Sequence, residues 1–266
     1  MPLILPDVDS KALARSPLAV VVCQVRYEQS LVVSDGGTGL KIHEALGGRE
    51  GLYPKIEPQQ VMEAQIELGP RGVSSFGSPG IPIRGWRYRS ADGAWTVTVM
   101  PDFVSLETTT YTTWATDFRD RLSAVLKSVR DFVQPNIEER SGLRYVNRLI
   151  ESGCTTPEDW VGIVADELLG PIANSSWSPG ISAYQQQLQL EISDGSRALI
   201  RHGLISSENG TSEGYLLDFD IFRQEPQRFD HESILTAVDG FNRTALTLFQ
   251  RSLRDGYISK LRESEL

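Results

Sequence analysis

The sequence predicts an α+β protein made of two similar halves, each an antiparallel sheet with a long helix packed on one face. Three observations predict it. Strand-like runs are punctuated by only two long amphipathic helical stretches. The order strand, helix, strands, long helix occurs twice. Three local matches then fall in the same order in both rounds: Arg26-Tyr27 with Arg144-Tyr145, Asp92-Gly93 with Asp194-Gly195, and Ser74-Ser75-Phe76-Gly77-Ser78-Pro79-Gly80-Ile81 with Ser175-Ser176-Trp177-Ser178-Pro179-Gly180-Ile181. The implied organisation is a lead over 1–16, a first half over 17–137, a second over 138–258 and a tail over 259–266. In such a pseudo-twofold body the face of each sheet not covered by its helix is left to the other half, a ligand or solvent.

The first strand is expected over Pro17 to Glu28, apolar throughout its early part and polar on one side later, at Gln24, Arg26 and Glu28. A short helix from Gly39 to Leu46 ends at Gly47-Gly48. Gln60 to Leu68 alternates strictly, with Met62, Ala64, Ile66 and Leu68 opposite Glu63, Gln65 and Glu67, and reads as a second strand. Gly69 to Pro82 reads as a long Gly/Pro/Ser loop carrying Phe76. Arg84 to Ser90 and Ala94 to Met100 form a hairpin, because Asp92-Gly93 supplies the positive φ a tight turn needs, and Phe103 to Thr109 follows as a strand. A helix over Thr113 to Val133 places Trp114, Phe118, Leu122, Val125, Leu126, Val129 and Phe132 on one stripe, and Pro135 stops it.

The second round opens on Ser141 to Ile150, near the middle of the chain. Alternation there puts Tyr145, Asn147 and Leu149 on one face and Arg144, Val146 and Arg148 on the other. Thr156-Pro157-Glu158-Asp159 is a helix start, with a Thr cap, Pro in the first turn and acids at the positive end of the dipole, and Gly170-Pro171 is the stop. Strands over Tyr184 to Ile192, Arg197 to Ile205 and Tyr215 to Phe222 precede a final helix over Asp230 to Leu253.

At 266 residues, 40% of them hydrophobic and 23% charged, the chain is long enough for a substantial core. A net charge of −9 argues against a general nucleic-acid binder, which would neutralise phosphates with clustered Lys and Arg. Two cysteines, Cys23 and Cys154, stand outside any metal-like spacing, so free thiols in a reducing compartment are expected. The opening Met1 to Asp7 lacks a basic leader and a long apolar run, and no segment approaches the roughly 20 apolar residues that span a bilayer. A cytoplasmic location without membrane association is expected.

The central motif supplies the candidate chemistry. Arg144 and Arg148 share one strand face, and Arg26 stands on the neighbouring or pseudo-symmetric strand; the planar guanidinium fork suits phosphate or carboxylate. Asp218 and Asp220 alternate on one side of their strand, where they either satisfy those arginines internally, ligate a cation or act as an acid/base pair. Asn147 shares the apolar face, where a structural hydrogen bond to a loop is expected. Phe76 and Trp177 stand on the two Ser/Pro/Gly loops, as lid or partner contacts or as plugs at the ends of their own sheets. His43, His202 and His231 form no metal-binding motif, and no nucleophile elbow, phosphate loop or dinucleotide fingerprint is present, so no metal or cofactor is expected.

Pro17-Leu18-x-x-Val21-Val22-x-x-x-Arg26-Tyr27 and Gly142-Leu143-Arg144-Tyr145-Val146-Asn147-Arg148-Leu149 resemble a family of bacterial proteins known as "sporadically distributed", of similar length and unknown function. The resemblance covers nearly the whole chain and implies a patchily inherited accessory protein with no activity to transfer. The expected function is therefore non-catalytic binding, with Arg26, Arg144 and Arg148 docking an acidic ligand or protein partner. The rivals are an enzyme that clamps a small anionic or nucleotide-like substrate with the same arginines and uses Asp218 or Asp220 as base, and a homo-oligomeric structural subunit.

Overall fold

The computed structural model describes residues 2–6, 11–61, 64–69, 72–77, 83–206 and 212–263, with the backbone alone described over 60–61, 64–69, 72–77, 83–84, 206 and 212–213. In chain order the strands are β1 (Leu18–Tyr27), β2 (Lys55–Val61), β3 (Ala64–Gly69), β4 (Gly72–Gly77), β5 (Ile83–Arg89), β6 (Trp95–Met100), β7 (Phe103–Thr108), β8 (Ile137–Leu149), β9 (Gln185–Glu191), β10 (Arg197–Ser206), β11 (Ser212–Arg223) and β12 (Gln227–Arg228). The helices are α1 (Gly36–Ala45), α2 (Arg119–Phe132), α3 (Asp166–Leu169), α4 (His231–Arg251) and α5 (Asp255–Arg262).

Ten of these strands form a single antiparallel sheet in the order β2-β5-β6-β7-β1-β8-β11-β10-β9, with β12 beside β8; β3 and β4 pair apart from it. The two arrays expected as separate sheets are thus one. The join is β1 with β8, through pairs that include Val22 opposite Arg144, Gln24 opposite Gly142 and Arg26 opposite Arg140. Both strands are long and apolar on one face, and pairing them removes two sheet edges at once.

Period-two alternation decides which way each side chain turns. Val21, Cys23, Val25 and Tyr27 on β1, Leu143, Tyr145 and Leu149 on β8, and Tyr215, Leu217, Phe219 and Ile221 on β11 are buried on one face. Helices α2 and α4 cover that face with their own apolar stripes, among them Leu122, Val125, Leu126 and Val129, and Ile234, Val238, Phe241, Ala245 and Leu248. Asp230 caps α4 by accepting from the Ser233 amide at 2.8 Å. Burial also pushes the Cys23 thiol up to about 12, which suits a packing residue rather than a nucleophile. Among the described residues no helix is long and apolar enough to cross a membrane.

Several elements differ from the sequence expectation. The alternating run Gln60 to Leu68 is divided between β2, which pairs with β5, and β3, which pairs with β4. The Gly69 to Pro82 loop contains β4, so Phe76 stands on a strand opposite Gln65, and what its side chain does lies outside the described residues. The helix expected from Thr156 to Gly170 is only a 3₁₀ turn, Pro157–Trp160, followed by the short α3 and a second turn, Gly170–Ala173. Asp159 gathers the Thr155 and Thr156 amides at 2.9 and 2.7 Å as a helix start should. The turn stops because Val161 is extended and Gly162 takes φ +91°, a path that lets Val161 and Val164 bridge and docks Val164 on Leu253. The long helix expected from Thr113 begins with one widened turn, Trp114–Phe118, before α2 proper. The tail expected over 259–266 begins inside α5, so that Leu261 is buried with Tyr257 and Ile258. The lead is anchored to β9 and α5, Leu3 donating to the Glu191 carbonyl and Arg15 to the Leu261 carbonyl.

His202, on β10, is buried with its ring Nδ1 2.9 Å from the Tyr215 hydroxyl, and burial lowers its pKa below the usual histidine value. The folded state then resists a proton that the unfolded chain accepts near about 6.5. Stability from this residue is complete above that pH and is lost as pH falls from there through the depressed folded value. Urea midpoints measured from pH 7.5 to pH 5 should fall more steeply for the wild type than for His202→Gln; parallel profiles would show that His202 does not contribute.

Candidate functional site

Among the described residues no helix covers the second face of the sheet, and the central strands turn their charged residues onto it. On β8 the alternation that buries Tyr145 and Leu149 presents Arg140, Arg144 and Arg148; on β1 it presents Gln24 and Arg26; on β11, Asp218 and Asp220. Asp218 is 1% exposed, a burial that a carboxylate tolerates only when its lone pairs are taken. Arg144 takes both oxygens, Nε to Oδ1 and Nη2 to Oδ2 at 2.7 Å each, and Arg201 on β10 adds Nη1 to Oδ2 at 3.3 Å. Asp220 stands opposite Arg144 in register but bonds Arg140, whose Nη2 donates to both of its oxygens at 3.1 and 3.0 Å. Arg26 donates to Asp102 at 2.9 Å.

The diagonal reach of Arg140 has a local cause. Gly142 lies between it and Asp220, and a Cβ at Gly142 would stand 2.7 Å from Arg140 Nη1. The missing side chain lets the guanidinium lie flat across the strand, with its central carbon 4.7 Å from the Phe222 ring centroid. It also leaves a depression of about 280 Å³ bounded by Val22, Gln24, Arg26, Arg140, Gly142, Arg144 and Asp220. The side chains of Arg144 and Arg26 remain 47% and 48% exposed on its rim. Each guanidinium has five N–H donors, so both can bond an incoming anion without releasing their aspartates.

Of the residues singled out in the sequence, the structure therefore brings together Arg26, Arg144 and Asp220 at the depression, with Asp218 beneath Arg144. Arg148 is on the same face at the end of β8, exposed and without an ion pair to a described residue. Trp177 does not line the depression: it is 65% exposed beside the turn Ser178–Gly180, so it plugs no sheet end. Asn147 donates its Nδ2 to the Leu217 carbonyl of the adjacent strand at 3.2 Å, not to a loop. Among the described residues no three His, Cys, Asp or Glu side chains converge to hold a metal ion.

Sequence reasoning missed Arg140, Gly142, Arg201 and Asp102. For Arg140 the signal was present, since it continues the alternation of Arg144 and Arg148 once the strand is started at Ile137. Asp102 and Arg201 reach the site only through strand neighbours that are distant in sequence. No protein-family model matches the chain, and no curated protein matches it.

Proposed function

We propose that the protein is a non-catalytic binding module that docks an acidic segment of a protein partner on the open sheet face, with the carboxylates of that segment seated over Gly142 between Arg26, Arg140 and Arg144. The observation that carries this reading is the local charge balance. Arg26, Arg140, Arg144, Arg148 and Arg201 face Asp102, Asp218, Asp220 and Glu107, the last opposite Val22 on β7, so five guanidinium groups meet four carboxylates on a chain whose net charge is −9. A cationic patch on an acidic protein steers an acidic partner to that patch and away from the rest of the surface. The test is titration of a fluorescent Glu-rich peptide, with binding that weakens as salt rises and is reduced by Arg144→Ala. Equal binding by the variant rules the reading out.

We infer further that the chain is an internal duplication of two halves, and the β1 and β8 register supports this. The interval from Val22 to Arg140 equals that from Gln24 to Gly142 and from Arg26 to Arg144. A twofold axis through the Gln24 and Gly142 pair would therefore exchange Val22 opposite Arg144 with Arg26 opposite Arg140. On this reading the binding depression lies on the pseudo-axis, built from equivalent positions of both halves. The resemblance to the sporadically distributed bacterial family, with an accessory role in the cytoplasm of a bacterium, belongs to the same proposal.

A second reading, a homo-oligomer joined edge to edge, is favoured by β9. The opposite end of the sheet, β2, is blunted by Lys55, Glu57 and Pro58, whereas Gln185-Gln186-Gln187-Leu188-Gln189-Leu190-Glu191 has neither Lys nor Pro. Among the described residues the lead reaches only its C-terminal end, where Leu3 donates to the Glu191 carbonyl at 2.8 Å. Antiparallel pairing with a second copy about Leu188, itself 43% exposed, sets Gln185 opposite Glu191 and brings no like charges together. Light scattering should give a dimer for the wild type and a monomer for Gln187→Pro, whose lost N–H faces outward and not toward β10. A monomeric wild type rules this reading out.

A further inference from the structure

We propose a second binding site, on the opposite face of the central strand from the arginines, for a small uncharged ligand that is mainly apolar and carries one amide-like edge, the chemistry of a nucleobase or an aromatic carboxamide. A cavity of about 380 Å³ lies there between β8, β11, α4, the segment Tyr111–Trp114 and the lead around Leu13. That volume is in the range of small-molecule sites, which are apolar clefts with a few fixed polar groups. Its walls fit the description: Leu13, Phe219, Leu246 and Phe249 are apolar, and among the described residues the exposed Lys11 is the one charged residue that lines it.

Two amides supply the fixed polar groups. Asn147 is 4% exposed at a β8 position whose flanking same-face residues, Tyr145 and Leu149, belong to the core. Its Nδ2 donates to the Leu217 carbonyl at 3.2 Å, its one hydrogen bond to a described residue, which leaves Oδ1 as an acceptor on the cavity wall. Asn242 on α4 is oriented by Tyr145, whose hydroxyl donates to Asn242 Oδ1 at 2.7 Å, so Asn242 Nδ2 is the donor that remains. A ligand with an adjacent carbonyl and N–H satisfies both. A buried amide such as Asn147 is costly unless paired, so placing it beside the half-buried Asn242 at an apolar cavity is the economy of a recognition site rather than of packing.

The supports of this wall are themselves held. Trp114 opens the widened turn before α2, a departure from regular helix geometry often found at functional sites. Its Nε1 donates to Asp239 of α4 at 2.8 Å, and Arg119 clasps the same carboxylate at 2.9 to 3.1 Å. The aromatic side of the cavity and the helix that carries Asn242 are therefore tied together, which preorganises the site.

The test is saturation-transfer NMR of the full chain with uridine, adenosine and nicotinamide as probes. At least one should bind saturably with a Kd of about 1 mM or tighter. Leu246→Trp, a half-buried position where the larger ring fills the cavity, and Asn242→Leu, which removes the donor, should each weaken that probe by about tenfold or more, while Arg144→Ala leaves it unchanged. Absence of saturable binding by all three probes overturns the proposal, as does binding that survives Leu246→Trp in a protein with a cooperative unfolding transition. Binding lost in Arg144→Ala but kept in Asn242→Leu places the probe on the arginine face and overturns it equally.

Discussion

Arg144→Ala should leave a folded protein that binds a Glu-rich peptide about tenfold or more weakly, the loss expected when one charge-assisted hydrogen bond of about 1.5–3 kcal/mol disappears. Its effect on stability is separable. The Arg144 and Asp218 pair is half exposed on the arginine side and buried on the aspartate side. It therefore falls between the 0–1 kcal/mol typical of surface pairs and the roughly 3–5 kcal/mol of broken buried ones, and about 2 kcal/mol should be lost. The reason is Asp218, which among the described residues retains only the longer ion pair with Arg201 at 3.3 Å. Asp218→Asn in the Arg144→Ala background should recover part of that stability, because a neutral amide needs less compensation, yet should not restore peptide binding. Urea denaturation and fluorescence anisotropy on the four proteins of this cycle read the two effects independently. If the peptide binds all four alike, the arginines serve only to neutralise the buried carboxylate.

Gly203→Ala should cost about 3 kcal/mol, the sum expected from a strained backbone and an overpacked contact. Gly203, on β10, takes φ +153°, and a Cβ there would stand 2.8 Å from Gln185 Cα and closer still to the Tyr184 carbonyl oxygen. Both neighbours are backbone, so no side-chain rotation relieves the contact. The same carbonyl accepts from the Leu204 amide at 2.8 Å, and the Tyr184 hydroxyl donates to Leu168 at 2.8 Å. The substitution should therefore loosen β9 and the turns beneath it first, visible as faster hydrogen exchange at Gln186 and Leu188 than at Leu143 on the central strand. Gly195→Ala is the comparison: its φ is +85° but no atom lies within 4 Å of the added carbon, so about 1 kcal/mol is expected from backbone strain alone. Equal losses for the two variants would remove close approach as the cause.

Where the chain's own pattern is periodic and local, reading it succeeded. The strands around Asp92-Gly93 and Asp194-Gly195, the stripes of α2 and α4, and the two faces of β8 are set by spacing and turn chemistry that act within a few residues. Reading failed where a local signal was outweighed. Thr156-Pro157-Glu158-Asp159 starts a helix as written, but packing of Val164 on Leu253 ends it after one turn. Gln60 to Leu68 alternates without a break, but alternation carries no information on which partner strand each part will choose.

The candidate site divides the same way. That Arg144 faces away from Tyr145, and Asp218 away from Leu217, follows from the period of a strand, so the sequence by itself determined the residue types on each face. Only the tertiary structure decided that β1 lies between β7 and β8, that Arg140 crosses Gly142 to reach Asp220, and that Asn147 and Asn242 meet at one cavity. Strand order and register come from burial summed over the whole sheet, and no short stretch of sequence contains that sum.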